Sequence, residues 1–345
     1  MAWAQRIEAG LGRLWWRAKP SAAALGLLPL AWCYASVSWL RRAAFQAGWL
    51  ESARAPVPVL VVGNLVVGGA GKTPTVIALV GALRRAGWTP GVISRGYGRQ
   101  GSAAVPVHDD SRAEEVGDEP LLIRLRTRAP VWVARRRIEA ACALCAAHAE
   151  VDVLVCDDGL QHLHLARDVQ VIVFDERGIG NGLQLPAGPL RQALPRHVPV
   201  NTHVLYNAAA ASTKWPGATA RRALAGAVLL QDWWRGAAAS LQALHALRGR
   251  PLLAAAGMAA PQRFFDMLRV EGLHIDTLPL SDHFAFDRLP WPAQACDVLV
   301  TEKDAVKLPH EPGAGTRIWV VALDFQLPED FIAAVLHNLR LAYRP

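Results

Sequence analysis

The chain has 345 residues and a formal net charge of +8, long enough to fold as two lobes with a real core. A basic balance favours nucleic acid, anionic lipid or phosphorylated substrates; a mean hydropathy of +0.17 with 13 Trp favours lipid, and no nucleic-acid module is recognisable. The five cysteines show no disulfide framework, which fits a reducing cytoplasm, and Cys142 and Cys145 read as buried small residues of an alanine-rich helix rather than a metal or redox pair.

The N-terminal stretch Pro20 to Leu40 carries no charge and is about as long as a membrane span. Arginines flank it on both sides (Arg13, Arg17, Arg41, Arg42), and Pro29 lies inside it. That pattern suits an interfacial helix or helical hairpin better than a span, with a buried helix as the third reading and Trp15 and Trp16 expected at headgroup level.

Val57 to Val62 then reads as a buried strand and Thr75 to Arg85 as a helix. Between them lies Gly63-Asn64-Leu65-Val66-Val67-Gly68-Gly69-Ala70-Gly71-Lys72-Thr73-Pro74. A glycine-rich turn between strand and helix lets backbone N–H groups close around phosphate oxygens, helped by the helix dipole. Residues Val66, Val67, Gly68, Gly69, Ala70, Gly71, Lys72 and Thr73 are therefore expected to bind a nucleoside triphosphate, with Lys72 on the β- and γ-phosphates and Thr73 on Mg²⁺. The standard spacing asks for glycine where Val66 stands; here glycine is doubled at 68 and 69 instead.

Further strands are expected at Gly91–Ser94, running into Arg95-Gly96-Tyr97-Gly98-Arg99, at Val131–Ala134, at Val151–Val155 and at Val169–Phe174, with a helix at Arg136–His148. Gly117-Asp118-Glu119-Pro120 is an acidic pair at a helix start, readable as capping or as the carboxylate a kinase needs for its acceptor hydroxyl. Val153-Leu154-Val155-Cys156-Asp157-Asp158 has the form of a Walker B strand, its terminal acids facing the phosphate loop and Mg²⁺. Gln161 and His162 follow and fit the lining of the same site. Gly178 to Pro199 reads as a long functional loop. From about residue 215 a second, smaller α/β pattern begins, with strands at Leu252–Ala256, Val298–Val300 and Ile318–Val321 and helices at Ala260–Arg269 and Pro328–Leu341.

The fold class is thus α/β: a mostly parallel phosphate-loop sheet flanked by helices, a smaller α/β lobe and an N-terminal membrane-associated helical segment. The expected divisions are residues 1–50, 51–215 and 216–345. Ligands of such sheets bind beyond the carboxyl ends of the strands, where these motifs fall.

As a set the motifs resemble the tetraacyldisaccharide 4′-kinase family, the lipid A 4′-kinases. The resemblance rests on the doubled-glycine loop, Ser94-Arg95-Gly96-Tyr97-Gly98, Gly117-Asp118-Glu119-Pro120, Asp157-Asp158-Gly159-Leu160-Gln161-His162, Ser281-Asp282-His283-Phe284 and Thr301-Glu302-Lys303-Asp304-Ala305-Val306-Lys307. Leu160, where the family often has Phe, is a mild departure. The resemblance implies transfer of the γ-phosphate of ATP to the 4′-hydroxyl of a tetraacyldisaccharide 1-phosphate, a membrane-embedded glycolipid, at the cytoplasmic face of the inner membrane of Gram-negative bacteria; no nucleic acid and no protein partner is implied. It also implies that Asp118 is the catalytic carboxylate, that His283 pairs with it, that Lys72 neutralises phosphate charge, and that Thr73, Glu119 and Asp157, supported by Asp158, hold Mg²⁺. Arg95 and Arg99 are candidates for phosphate or substrate contact. The competing reading is a membrane-associated switch ATPase or GTPase. Against it, Val67 replaces the signature lysine of the partitioning-type ATPases, and Lys303-Asp304 lacks the spacing of a guanine-reading loop.

Overall fold

The computed structural model describes residues 10–99, 101–282, 284–292, 295–310 and 315–343. Every residue of Val59–Gly63 (β1) is buried, as expected of a strand covered on both faces. It pairs in parallel with Val153–Asp157 (β5) on one side and Val169–Asp175 (β6) on the other. With Pro90–Ser94 (β2), Val105–Pro106 (β3), Val131–Val133 (β4), Thr202–Asn207 (β7) and Ala218–Thr219 (β8), they form an eight-stranded sheet of order β3-β4-β2-β5-β1-β6-β7-β8. Only β3 runs antiparallel to its neighbour.

Side-chain alternation along β1 divides the packing in two. Leu60 and Val62 face helices Lys72–Arg85 and Asp118–Thr127, meeting Val76, Leu79, Leu83, Leu121 and Ile123. Val59 and Val61 face helix Arg137–Ala147, through Ala140, Ala141 and Leu144. On that helix Cys142 is exposed, not buried as expected, and Cys145 is half-buried. The parallel strands bring the end of β1, Asp157, Asp175 and Asn207 to one edge of the sheet.

A second sheet holds Arg221–Leu229 (β9), Leu252–Ala256 (β10), Ile275–Pro279 (β11), Asp297–Thr301 (β12) and Arg317–Gln326 (β13), in the order β11-β10-β12-β13-β9. It is parallel except for β9. Because β8 still pairs with β7, the chain changes sheets at Ala220, beyond the division expected at 215. The last helix, Glu329–Ala342, then leaves the second lobe. Its buried residues Phe331, Val335 and Leu339 recur every fourth position, and this stripe packs on helix Lys72–Arg85 and on β6 and β7. Phe331 meets the His203 ring edge-on, and the Asn338 amide lies 3.1 Å from His203 Nε2. The terminal helix therefore packs on the first sheet although it follows the second in sequence.

The uncharged run Pro20–Leu40 does not form a single helix. It breaks at Leu27 into Ala22–Gly26, capped by Ser21, and Leu28–Gln46. Pro29 sits in the first turn of the second helix, where no intrahelical N–H is needed. No described helix is long and apolar enough to cross a membrane. The pair is not buried either: only Ala24 and Ala31 are, while Trp32, Trp39 and Trp49 are 64%, 65% and 83% exposed. Trp15 and Trp16 instead pack on the protein. The Trp15 indole donates to the Pro186 carbonyl at 2.8 Å, and the Arg177 guanidinium lies 4.1 Å over the Trp16 ring. The Tyr34 hydroxyl donates to the Arg191 carbonyl at 2.8 Å. The long loop after β6 is thus a strap that ties the N-terminal helices to the first sheet.

The terminal helix offers a paired test. Leu339 is fully buried and Leu341 is 72% exposed. Leu339→Ala is expected to destabilise by about 2–5 kcal/mol and Leu341→Ala by less than about 0.5 kcal/mol, read from urea unfolding. Equal effects would mean that the helix does not dock on the first sheet.

Candidate active site

Helix Lys72–Arg85 starts directly from the glycine-rich turn, with Gly71 at its N-cap in a left-handed conformation (φ 94°). A Cβ on Gly71 would stand 2.2 Å from Asn207 Nδ2, so only glycine fits. For N–H groups to face an anion, the carbonyls of the same turn must be held elsewhere. Three are held, by donors from the ends of three strands. The Asn64 amide, just after β1, donates to Gly68 O at 3.0 Å. Arg177, after β6, donates to Gly69 O at 3.0 Å, and Asn207, ending β7, to Ala70 O at 3.1 Å. Asp175 holds the Arg177 guanidinium at 2.6 Å.

Val66 and Val67 stand outside this cradle, contrary to expectation. Val66 is fully buried in a bridge to Leu190, and the Val67 N–H is committed to Pro189 O at 2.9 Å. The part of the turn whose carbonyls are tied back, followed by the helix start, runs from Gly68 to Thr73.

Lys72 and Thr73 are nearly buried at the helix start. The Lys72 ammonium is 3.5 Å from Asn64 Oδ1 and 3.8 Å from Asp158 Oδ1. Asp158, in a left-handed turn after β5 (φ 48°), also pairs with Arg191 at 3.3 Å. Burial alone would raise its carboxyl, but Lys72 and Arg191 hold it below the usual range. Asp157 behaves in the opposite way. Burial, and then the Glu119 and Asp158 charges, push it up to about 7. Its Oδ1 is buried without a hydrogen-bond partner, while Ser94 donates to Oδ2 at 3.5 Å.

Facing the loop is the first turn of helix Asp118–Thr127. Asp118 is 6% exposed, and its Oδ1 accepts the Glu119 N–H at 2.9 Å. The helix can begin here because Gly117 lies against Gly96, where a Cβ would come within 3.0 Å of the Gly96 Cα. A Cβ on Gly96 would in turn stand 2.7 Å from the Val116 carbonyl, whereas Gly98 meets nothing and is set apart by its left-handed φ of 83°.

Lys72, Thr73 and Glu119 line one cavity of about 730 Å³ between the two lobes, a size that suits a small-molecule ligand. Its far wall is apolar, with Met258, Phe264, Leu323 and Phe325, and Asp282, Glu302 and Lys303 lie on its second-lobe side. Lys303 stands 3.2 Å from Asp282 and 3.5 Å from Glu119. Among the described residues no three His, Cys, Asp or Glu side chains make a ready metal cage.

The other expected site residues fall elsewhere. The Gln161 amide donates to Asn64 O at 3.0 Å, and its oxygen accepts from Arg191 at 3.2 Å. His162 Nε2 accepts the Arg137 N–H at 3.3 Å. Arg99 folds back onto the Ala103 carbonyl, whereas Arg95 is exposed beyond the end of β2. His283 lies outside the described residues. Sequence reasoning gave no role to Asn64, Arg177, Arg191, Asn207 or Lys303. Asn207 carried the signal used for Asp157, a polar residue at the carboxyl end of an apolar strand.

The family model for tetraacyldisaccharide-1-P 4′-kinase matches residues 23–340. A tetraacyldisaccharide 4′-kinase of Leptothrix cholodnii is 52% identical over 340 residues, covering 97% of each chain. That of Methylibium petroleiphilum is 53% identical over 334 residues, covering 95% of this chain and 93% of its own. Among solved structures, LpxK from Aquifex aeolicus in complex with ATP superposes with a TM-score of 0.73 at 23% identity, covering 92% of this chain and 99% of that one. At that identity the likeness concerns the fold.

The environment of His162 sets an acid sensitivity. Burial, and then the nearby charges of Arg137, His164, Arg41 and Arg167, lower it from 6.5 to about 4. The folded state therefore binds this proton less readily than the unfolded state, and stability present above pH 6.5 is lost as pH falls from there towards 4. His162→Gln is expected to flatten this part of the pH–stability curve in urea titrations; an unchanged curve would assign the sensitivity to other groups.

Proposed function

The chain belongs to the tetraacyldisaccharide-1-P 4′-kinase family, and from that footing we propose how its residues perform the reaction. It is a lipid kinase that transfers the γ-phosphate of ATP to the 4′-hydroxyl of tetraacyldisaccharide 1-phosphate in lipid A biosynthesis. The observation that carries the assignment of roles is that Lys72, Thr73 and Glu119 line one cavity, with Asp118 beside Glu119 at the same helix start.

The triphosphate lies in the turn Gly68–Thr73, where the tied-back carbonyls leave the N–H groups to it, and Lys72 neutralises charge on the β- and γ-phosphates. The apolar wall with Met258 and Phe264 takes the less polar part of the ligand. Asp118 accepts the proton of the 4′-hydroxyl as its oxygen attacks the γ-phosphorus. The bond from that phosphorus to the β–γ bridging oxygen breaks, and ADP leaves. His283, which follows the cavity residue Asp282 in sequence, is assigned as the partner that orients Asp118.

Mg²⁺ fits the donors present. The buried Asp157 Oδ1 lacks a partner, and its carboxyl is held up by burial and like charge, a setting that a hard cation relieves. Mg²⁺ takes one or two carboxylates with phosphate oxygens and water rather than a protein cage, so Thr73 and Asp157, with Glu119 and Asp158 beside them, suffice. When bound it would neutralise charge on the transferred group. Asp158 also anchors Lys72, while Gln161 and His162 brace the turn. Of the arginines, Arg95 is the free-standing candidate for a substrate phosphate.

We place the protein on the cytoplasmic face of the inner membrane, held peripherally by residues 1–50, with nucleotide binding in 51–215 and the cleft completed by 216–345. The exposed Leu25, Trp32, Val37, Trp39 and Trp49, beside Arg41 and Arg42, support that seating. An acceptor with four acyl chains stays in the bilayer, so the enzyme must come to it.

Asp118→Ala is expected to lower turnover by about 10²–10⁴-fold with ATP affinity little changed, measured as labelled phosphate passing from ATP to the glycolipid. Loss of ATP binding instead would make Asp118 a metal ligand. Replacing Trp32, Trp39 and Trp49 together by Ser is expected to weaken sedimentation with anionic vesicles at least about tenfold; unchanged sedimentation would move the membrane contact elsewhere.

A further inference from the structure

The segment Thr301-Glu302-Lys303-Asp304-Ala305-Val306-Lys307 has no part in the chemistry above, yet it is heavily braced. Thr301 caps the short helix Glu302–Ala305, its hydroxyl accepting the Asp304 N–H at 3.2 Å. Asp304 is fully buried. Its Oδ2 accepts from the Gly257 N–H at 3.0 Å and from the Thr301 hydroxyl at 2.7 Å, and its Oδ1 from Lys307 at 3.0 Å. A buried carboxylate with this many donors ties the turn to the ends of β10 and β12.

The turn presents two opposite charges to one helix of the other lobe. Glu302 pairs with Arg126, near the end of helix Asp118–Thr127, and also accepts the Leu323 N–H at 3.2 Å. Lys303 reaches the helix start, 3.5 Å from Glu119 and 3.2 Å from Asp282. Two ion pairs of reversed polarity thus hold one helix at both ends. The nucleotide lobe gathers Asp118, Glu119, Asp157 and Asp158 around its strand ends, and Lys303 is a cation supplied to them by the opposite lobe.

We propose that Lys303 is a positioning residue for phosphoryl transfer: its ammonium, carried by the second lobe, pins the first turn of the Asp118–Thr127 helix so that Asp118 faces the phosphate loop. This rests on the reading of Asp118 as the base. Lys303 acts through Asp118 and Glu119, so its loss shifts a proton acceptor without emptying the nucleotide cradle. A displacement of about 1 Å in such a group can reduce turnover by about 10²-fold.

The test compares the full-length wild type with Lys303→Met, Lys303→Arg and Asp118→Ala, measuring kcat, KM for ATP and the melting temperature. The expected result for Lys303→Met is a fall in kcat of about 10–10²-fold, with KM for ATP within about twofold. Lys303→Arg, which keeps the charge, recovers most of the lost kcat at an unchanged melting temperature. Lys303→Gln replaces the Met variant if that one does not fold. A kcat within about twofold of wild type in the uncharged variant overturns the proposal, as does a rise in KM with kcat unchanged. Failure of a stably folded Lys303→Arg to recover turnover also overturns it. Asp118→Ala reports on the base by itself: full turnover there removes the base, whereas full turnover in Lys303→Met beside an inactive Asp118→Ala removes only the pin.

Discussion

A glycine-rich turn that is to bind an anion, the role proposed for the turn after β1, must aim its N–H groups inward and find a place for its carbonyls. Gly68, Gly69 and Ala70 solve this with donors from Asn64, Arg177 and Asn207. Those donors come from the ends of β1, β6 and β7, which adjoin one another in the sheet. The order of strands thus supplies the preorganisation of the cradle. The strap after β6 adds to it, because Pro189 accepts the Val67 N–H and Arg191 braces Asp158. The exposed N-terminal helices hang from the same strap, through Trp15, Trp16 and Tyr34. One segment therefore supports both the phosphate turn and the surface assigned to the membrane.

Charge around the cleft follows a second constraint. Four carboxylates near one strand edge repel each other unless cations are set among them. Lys72 and Arg191 serve Asp158, while Lys303 serves Glu119. Asp157 has none so close, which is why burial and its neighbours raise it. Across the cleft, Arg126 with Glu302 and Lys303 with Glu119 join the lobes in both directions of charge. The balance of the site thus belongs to the two lobes together.

Much of this was legible in the chain. Uninterrupted apolar runs such as Val59–Val62 and Val153–Val155 announced buried parallel strands, and the acids and glycines after them marked the ligand edge. The family resemblance named the chemistry. Tertiary partners were beyond its reach. Val66 and Val67 belong to a glycine-rich motif, and only the strap shows that their backbone is already engaged. Gln161 and His162 follow the acidic pair, yet the turn they occupy aims them at Asn64 and Arg137. The terminal helix has a plain amphipathic stripe, but periodicity names the buried face and not the surface that covers it. The run Pro20–Leu40 has the length of a span, and Leu27 divides it.

The chain passes between the lobes twice, at Ala220 and again between β13 and the terminal helix. The two crossings lie side by side, since Arg221 is paired with Gln326 where β9 begins and β13 ends. A body pinned at two neighbouring points has few ways to move: it can swing about the line joining them, but it cannot slide away along the cleft. The Ala220 crossing is stiff, for that residue is buried and its N–H is bonded to Tyr206 O at 2.9 Å. Any opening of the cleft is then an arc of fixed radius. Lys303 and Asp282 lie on the second lobe's side of that cleft, facing the Asp118–Thr127 helix.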